Sequence, residues 1–562
     1  MGLIQGLLSL CQDCGDEMES MSARGRLFVF LRRGGLVLVG TVVAGRSGGG
    51  EDEGGGCEVF LRLQLEYLYA TILFLLTSKI HSIFNKSPSY DLRTLLGGAD
   101  STLRGVLDLA GTSRGRGRML SGAVETTWMM PDVRAKVVAA LSAARGRVSE
   151  CLFGVWLCGE QVVAISQLRQ PLEHRIHTQD LLLLANFVET QMPALRRAES
   201  WTPVCLPRFH EGGYLYAYIA FLEHPENRRV DDDDGGGDSS NGKEKEPSHG
   251  GDKADQPTAG GEDGGGGGGG VEVSGHAQPT CLVFVSAVGT QEQFQAFRQV
   301  RKILEERFTS ILGGAEGWDL YLSDRALAER RSVLCRFCSS IGALHFYYRL
   351  VGRPWGNGPR SRAAGEALED AFTQCLSSPF ADTAYASDPD WQRRVWGLYT
   401  RGALRLRHGS SQEGWIASLE GVPVASPIGR GGGIGSGAVS GAAAWGGENG
   451  ERGVWGAATL MFEEDPCHSL TYEVGEVETV VSLRGEGGDD RGGRGGGGGG
   501  GARSGGGWGW GKETQCVDEI HVCFPSSVPP SEACVAANRL MGVIREDKEW
   551  LFLPGEGSES RG

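Results

Sequence analysis

Paired cysteines are the residues of this chain whose spacing most directly suggests chemistry. Cys11-x-x-Cys14 and Cys335-x-x-Cys338 have the separation of metal ligands, and a zinc site would need a second pair of Cys or His residues to complete its tetrahedron. Neither pair has such companions at finger spacing. Most other cysteines stand singly in apolar runs, where Cys packs as a small hydrophobe. The sequence therefore predicts no metal site and thiols that stay reduced.

Glycine strings and nucleophile motifs are the next candidates for a reactive site. The chain contains 90 Gly, many of them in G-x-G-x-x-G strings, but none of these strings follows a strand and opens a helix, as phosphate binding requires. No G-x-S-x-G sequence falls on a strand–turn–helix pattern. His174, His177 and His210 lack metal-ligand spacing and are interpreted as surface or capping groups. We expect no catalytic residue and no cofactor, and an enzyme with a scattered active site is the weakest hypothesis.

Charge and hydropathy restrict the partners of the chain. Its formal net charge is −15 and no stripe of Lys and Arg stands out, which argues against nucleic acid as the main partner because phosphate binding needs clustered positive charge. No basic leader precedes the apolar residues 3–10, so a signal peptide is not expected. The apolar run 65–76 contains Glu66 and is too short to span a bilayer. These features predict a soluble cytosolic protein with at most peripheral membrane contact.

The elements that would position a site begin with a helix and a hairpin. Residues 2–11 repeat apolar side chains such as Leu3 and Leu7 at helical spacing. Two apolar, β-branched runs at 27–31 and 36–43 flank Arg32-Arg33-Gly34-Gly35 and predict a β-hairpin. Residues 59–84 repeat apolar residues at i, i+3 and i+4, which predicts one long helix with a buried face.

Two further groups of elements follow along the chain. The second group contains a hairpin at 151–166, a helix at 178–189 with Thr178 as its N-cap, strands at 214–222 and 281–288, and a helix at 291–308. The third contains an apolar segment at 341–350, a helix at 390–406, strands at 477–483 and 519–524, and a helix at 532–545 with Ser531 as its N-cap, against which residues 549–554 should pack.

Together these groups predict an α+β protein of three units, each a small antiparallel sheet flanked by helices. The first unit spans residues 1–149. The second spans 150–313 with a disordered insertion at 225–279, and the third spans 335–556 with disordered Gly-rich insertions at about 431–453 and 485–511. Such tracts cannot bury enough apolar area to offset the entropy lost on ordering.

Seven segments, taken in order along the chain, form a recognisable set. They are LRLQLEYLY at 61–69, FNKSPSYDL at 84–92, LLGG at 95–98, HTQDLLLLANFV at 177–188, ESWTPVCLPRF at 199–209, the strand at 214–222 and the closing helix and tail at 534–554. They cover most of the chain outside the Gly-rich tracts. In this order they resemble the Mon family, also called SAND, the vacuolar fusion proteins that pair with Ccz.

The resemblance implies a fold, an activity and partners. It implies three longin-type domains and, together with a Ccz-type partner in a heterodimer, guanine nucleotide exchange on the late-endosomal or vacuolar Rab GTPase during endosome maturation and vacuole fusion. It also implies that an activated early-endosomal Rab and a phosphoinositide membrane recruit the complex to endosomes and vacuoles. The chief competing hypothesis is a longin protein that tethers membranes without driving exchange.

The resemblance further implies that the first longin domain builds the GTPase-docking platform with the partner's equivalent domain. The elements placed there are the helix at 2–11 and the strand at 27–31 with its turn. The candidate interface residues on these elements are Leu3, Leu7, Phe28, Phe30, Arg32 and Arg33. Two alternatives remain open: Phe28 and Phe30 could pack against helices of their own domain, and the two arginines could be a solvated turn.

One departure from the family pattern concerns the first domain. Family members carry two strands before the first helix, whereas this sequence begins at the helix itself. A sheet without those strands would have an unpaired edge and a helix that is not fully covered. We therefore expect either a longer N-terminal sequence or a sheet that is completed in another way.

Overall fold

The computed structural model describes residues 6, 18–43, 53–87, 90–167, 175–195, 199–226, 278–352, 372–380, 388–408, 457–461, 469–474, 478–487 and 516–553. The strands of this part of the chain form sheets of three, five and seven strands, which confirms the α+β class. The predicted insertion at 431–453 lies outside the described residues, as do most of those at 225–279 and 485–511. The predicted helix at 2–11 also lies outside them, except for Gly6.

The first sheet is antiparallel, in the order β1-β2-β3, and it contains the predicted hairpin. Its strands are β1 (Ser20–Ala23), β2 (Arg26–Arg33) and β3 (Leu36–Val43). The β2–β3 turn needs a residue in the left-handed region, and Gly34 supplies it with φ +57°. The turn lies directly against the following helices, because a Cβ at Gly35 would be 2.6 Å from the Cβ of Phe84.

The prediction of one continuous helix at 59–84 was wrong, because this part of the chain forms two helices. Helix α1 (Glu53–Leu76) ends before Thr77, whose φ of +63° breaks the helical path, and α2 (Ile80–Lys86) starts in a new direction. The apolar stretch is also longer than expected, since Glu58–Leu76 is long and apolar enough to cross a membrane by length and composition alone. In the structure this stretch contacts the first hairpin and several helices.

The second sheet has the order β6-β5-β9-β8-β7 and is antiparallel. Its strands are β5 (Cys151–Cys158), β6 (Gln161–Gln167), β7 (Ser200–Val204), β8 (Leu215–Leu222) and β9 (Thr280–Ser286). Side chains point alternately to the two faces of the sheet. Both faces are buried, each in a separate core. Val155 faces a core shared with Phe74 of α1, whereas Trp156 packs on the opposite face with Phe308 and Trp318.

The third sheet has the order β12-β13-β14-β15-β10-β11-β4. Its strands are β4 (Val124–Glu125), β10 (His345–Gly352), β11 (Thr373–Ser377), β12 (Ala457–Met461), β13 (Ser469–Val474), β14 (Glu478–Gly487) and β15 (Cys516–Pro525). The strand β4 pairs in parallel with β11, and Thr126 then makes a bridge to Val162 of the second sheet. Residues 124–129, called the linking segment below, therefore join two sheets.

Helices cover these sheets from several sides. In addition to α1 and α2, they are α3 (Asp100–Gly111), α4 (Ser113–Ser121), α5 (Pro131–Arg145), α6 (Thr178–Leu195), α7 (Pro207–His210), α8 (Gln291–Leu312), α9 (Ala315–Leu322), α10 (Asp324–Ser340), α11 (Pro389–His408), α12 (Pro530–Glu546) and α13 (Lys548–Leu551). The tail after α12 is buried at Leu551, Phe552 and Leu553, which confirms that it packs against the last helix.

Two predicted helix caps were wrong. The last helix begins at Pro530 and makes no side-chain cap, because a proline at the first turn removes an N–H that would otherwise need a partner. Thr178 already lies within α6, and its hydroxyl instead accepts the N–H of Thr373 at 2.9 Å. The Nδ1 of His177 accepts the N–H of Gln179 at 3.1 Å, so the interpretation of His177 as a capping group is confirmed.

A buried carboxylate on α6 leads to a prediction about pH. Asp180 is completely buried and accepts the N–H groups of Arg208 at 3.1 Å and Phe209 at 2.9 Å, at the start of α7. Burial raises the pKa of Asp180 from 3.8 to about 7, although both hydrogen bonds act in the opposite direction. Between pH 3.8 and about 7, Asp180 therefore keeps its proton in the folded chain, whereas it has released the proton in the unfolded chain.

We expect the free energy of unfolding to fall as the pH rises from 4 to 7, by at most about 1.4 kcal/mol per pH unit from this group. Urea denaturation of the wild type and of Asp180→Asn across this range measures the effect. The difference between the two proteins should change with pH below 7 and become constant above it. Parallel pH profiles would contradict the assignment.

Candidate interaction surface of the first sheet

The inner face of the first sheet is the face that packs on α1. Side chains alternate along a strand, so Leu27, Val29 and Leu31 share one face of β2. These three are buried against Leu65 of α1, with Leu61 at the edge of the cluster. Gly40 of β3 lies on the same face, and a Cβ there would be 2.7 Å from Leu61 Cδ1. The helix and the hairpin are therefore in close contact along this face.

The outer face carries three of the predicted interface residues. Phe28, Phe30 and Arg32 alternate with the inner residues and pair across the ladder with Thr41, Val39 and Val37, respectively. Phe30 is only 4% exposed, Phe28 is half-buried and Arg32 is exposed. The structure thus brings Phe28, Phe30 and Arg32 together on one surface, opposite α1. Neither phenylalanine belongs to the cluster that packs on α1. Because Phe30 is nevertheless buried, its packing against other elements of its own domain stays a prediction.

Three exposed valines on β3, which were not among the predicted interface residues, complete the outer face. Val37, Val39 and Val43 are 44%, 36% and 62% exposed. The available signal was the composition of β3 (LVLVGTVV), which is apolar at both alternating sets of positions and has no charge. A strand that covers a core on only one face normally shows polar residues on the other. These valines therefore form a solvent-facing apolar row next to Phe28 and Phe30.

Arg33 does not lie with the other candidates. It follows the alternation of the inner face, where its guanidinium forms an ion pair with Glu66 of α1. Arg62 of α1 makes a similar contact, 2.7 Å from Glu19 before β1. Both pairs hold the helix against the first sheet at its periphery, where exposed ion pairs contribute little to stability. Leu3 and Leu7 lie outside the described residues.

Metal and nucleophile chemistry finds no support in the described part of the chain. No group of three or more His, Cys, Asp or Glu residues there could hold a metal ion. Cys335 and Cys338 lie on α10, and neither is in a disulfide. Burial raises the pKa of Cys338 to about 11, so this thiol is a poor nucleophile. Cys11 and Cys14 lie outside the described residues.

Comparison with protein-family models identifies two parts of the chain. Residues 1–105 match the model described as the first Longin domain of FUZ, MON1 and HPS1, and residues 149–231 match the second Longin domain of the same proteins. The first match contains the whole three-stranded sheet with α1. The second begins just before β5 and includes β6, β7 and β8. Both matches confirm the longin character of the α+β fold.

Curated relatives point to the same family. Vacuolar fusion protein MON1 homolog A of Gallus gallus is 33% identical over 224 residues, MON1 homolog B of Homo sapiens is 33% identical over 225, and Protein SAND of Takifugu rubripes is 30% identical over 224. Each alignment covers 40% of this chain and 37–39% of the relative. The chain thus aligns with less than two-fifths of the length of these proteins. The resemblance to the Mon/SAND family is confirmed.

Proposed function

We propose that this relative of the Mon/SAND proteins is a subunit of a guanine nucleotide exchange factor. Its substrate would be the late-endosomal or vacuolar Rab GTPase, its partner a Ccz-type longin protein, and its process endosome maturation and vacuole fusion. Two observations support this: relatives of the chain are named for vacuolar fusion, and the first longin-type sheet has an apolar outer face. The chain would act from the cytoplasm and reach endosomes and vacuoles as a peripheral protein.

The mechanism of exchange requires no covalent step, so we propose that the chain is not an enzyme in the bond-making sense and needs no cofactor. A factor of this kind binds the nucleotide-free GTPase more tightly than the GDP-bound form. Only this difference in affinity shifts the equilibrium toward release. Such a factor needs a preformed surface that binds the switch region of the GTPase and so replaces its contacts with the nucleotide.

The outer face of the first sheet is the observation that carries the proposal. Val37, Val39 and Val43 are exposed beside Phe28 and Arg32, whereas α1 occupies the inner face. Exposed apolar side chains that lie together mark contact surfaces; Val37 and Val39 are neighbours on this face, and Thr41 separates Val39 from Val43. An arginine at their border adds a charge that selects the orientation of a partner. Recruitment by an activated early-endosomal Rab and by a phosphoinositide membrane is proposed from the family resemblance alone.

The experiment measures release of a fluorescent GDP analogue from the late-endosomal Rab, with and without a Ccz-type partner. We expect the pair to accelerate release and the chain alone to do so very little, because half of the docking platform is missing. If the pair leaves release at its intrinsic rate but still binds the GTPase, the chain is a tether, the second candidate. If it binds neither partner nor GTPase, both assignments are wrong.

A substitution at the edge of the outer face tests its involvement directly. Val43→Asp places a carboxylate at the end of β3, opposite the exposed Arg26 of β2, and removing this carboxylate from water in a contact is costly. We expect the exchange rate of the pair to fall about tenfold, which corresponds to about 1.4 kcal/mol. The matched control is Val535→Asp on α12, because Val535 is 67% exposed, close to the 62% of Val43. Equal rates for the two variants would exclude this face.

A further inference from the structure

A second apolar site lies outside the first sheet, where three parts of the chain meet. It is an open cavity of about 200 Å³ between the linking segment, α10, α12 and α13. Trp128, Val333, Phe337, Val543 and Trp550 line it. Its walls thus come from residues that are more than 400 positions apart in the sequence, such as Trp128 and Trp550. No local sequence motif therefore predicts the cavity.

Aromatic side chains in the wall of this cavity are partly exposed to solvent. Trp550 is 48% exposed, and Trp128 and Phe337 are half-buried. Large apolar side chains left in water at the mouth of a preformed cavity are characteristic of protein contact sites, where aromatic residues dominate the binding energy. The proposed exchange function makes no use of this surface.

The walls are held in place by two buried arginines. Arg330 donates to the carbonyl oxygens of Trp128 at 2.6 Å and Tyr321 at 2.8 Å. Arg134 donates to the carbonyl oxygens of Thr127 at 2.6 Å and Trp550 at 3.1 Å. Both tryptophans are therefore anchored through their backbones while their rings remain available. A site fixed in this way loses little conformational entropy when a ligand binds.

One carboxylate determines the charge of the mouth. Asp547 lines the cavity, is exposed, and within the described part of the chain its side chain makes no ion pair or hydrogen bond. Its backbone is engaged, because its carbonyl oxygen accepts the N–H of Trp550 at 3.0 Å. The backbone of Asp547 is thus held at the edge of an apolar cavity, and its carboxylate is available for a cation.

We propose that this cavity docks a segment of a partner protein that inserts one large aliphatic or aromatic side chain and places a Lys or Arg against Asp547. The size of the cavity supports this, because ligand pockets for drug-sized molecules measure about 300–1,000 Å³, whereas about 200 Å³ suits a single side chain. The apolar lining accounts for the anchor residue, and the carboxylate accounts for the cation beside it.

A selection on the full-length chain tests the proposal. Random dodecapeptides displayed on phage are selected against the wild type, and the affinities of recovered peptides are measured by fluorescence polarisation. We expect an enriched pattern of one large apolar residue close to a Lys or Arg. Asp547→Arg and Trp550→Ala should each weaken binding at least tenfold. Because both side chains are exposed, the melting temperature, measured in parallel, should change little.

The matched control is Glu546→Arg, which reverses an exposed charge on the neighbouring residue that does not line the cavity. Its affinity for the peptides should stay within about twofold of the wild type. The proposal is overturned if the recovered peptides lack the apolar–basic pattern, if Asp547→Arg leaves their affinity unchanged, or if Glu546→Arg weakens binding as much as Asp547→Arg does. A null result of the exchange assay would not affect this outcome.

Discussion

Replacing Arg134 with methionine is expected to lower the free energy of unfolding by about 3–5 kcal/mol. The guanidinium is completely buried, and its hydrogen bonds go to the carbonyl oxygens of Thr127 at 2.6 Å, Trp550 at 3.1 Å and Val163 at 3.3 Å. Methionine has a similar length but no donor. Each buried carbonyl left without a donor costs about 1–3 kcal/mol.

The position of Val163 is one reason why a long hydrogen-bond donor is needed inside the protein. The β5–β6 ladder pairs Trp156 with Ala164 and Leu157 with Val162, so Val163 is an extra residue in a β-bulge. Its carbonyl oxygen accepts a hydrogen bond from Arg134. The same side chain also reaches Trp550 in the C-terminal part of the chain. One residue on α5 thus links the second sheet, the linking segment and the tail.

Urea denaturation followed by circular dichroism measures the effect. The matched control is Lys136→Met, which removes a cation from the same helix at an exposed position, and it should change stability by less than about 0.5 kcal/mol. Arg134→Lys should be intermediate, because an ammonium cannot span the carbonyls that the planar guanidinium reaches. A loss below 1 kcal/mol for Arg134→Met would show that water replaces the missing donor.

Replacing Gly40 with valine is expected to cost about 1–3 kcal/mol and to loosen α1 from the hairpin. A Cβ at this position would lie 2.7 Å from Cδ1 and 2.8 Å from Cγ of Leu61. These distances are too short for carbon atoms, and the branched side chain adds further atoms. Since Cγ is close to the backbone of the helix, rotation of the Leu61 side chain alone does not remove the overlap.

A double substitution distinguishes this clash from a general effect of valine in the strand. Leu61→Ala removes the atoms that collide with the new side chain, so Gly40→Val combined with Leu61→Ala should be more stable than the sum of the two single effects predicts, by at least about 1 kcal/mol. Thermal and urea unfolding of the four proteins provide the measurement. Additive effects would mean that Gly40 does not contact the helix as described.

The pattern of apolar and polar residues was sufficient to predict the helices and strands in which that pattern is long and regular. The hairpin around Gly34, the helix Pro389–His408 and the helix Gln291–Leu312 have the predicted type. Each presents a regular apolar face, and burial of that face dominates its free energy. The order of motifs along the chain indicated the family that it resembles.

The break at Thr77 and the strand β4 could not be predicted in this way. The apolar period continues through Thr77, although the chain turns there with φ +63°. Strand β4 has only two residues, Val124 and Glu125, and it exists because β11 offers a free edge from far along the sequence. Neither feature has a local energetic signature, since both depend on partners brought together by folding.

The candidate surface was predicted in part. Phe28, Phe30 and Arg32 do share one face, but Arg33 lies on the other, because the two-residue period of a strand separates neighbours. The exposed valines of β3 were not selected, since an apolar strand in a sequence looks the same whether one face or both are covered. Whether a side chain is exposed depends on which elements pack against it, and the sequence of the strand alone does not show this.

The amino-acid sequence by itself determined the class of fold, the type of most long elements, the absence of any recognisable reactive motif and the family resemblance. These follow from short-range patterns of apolar, polar and Gly residues. The tertiary structure alone decided which face of the first sheet α1 covers, which arginines are buried and where Trp128 meets Trp550. Such features arise from contacts between residues that are distant in the chain, so the sequence of any single segment does not predict them.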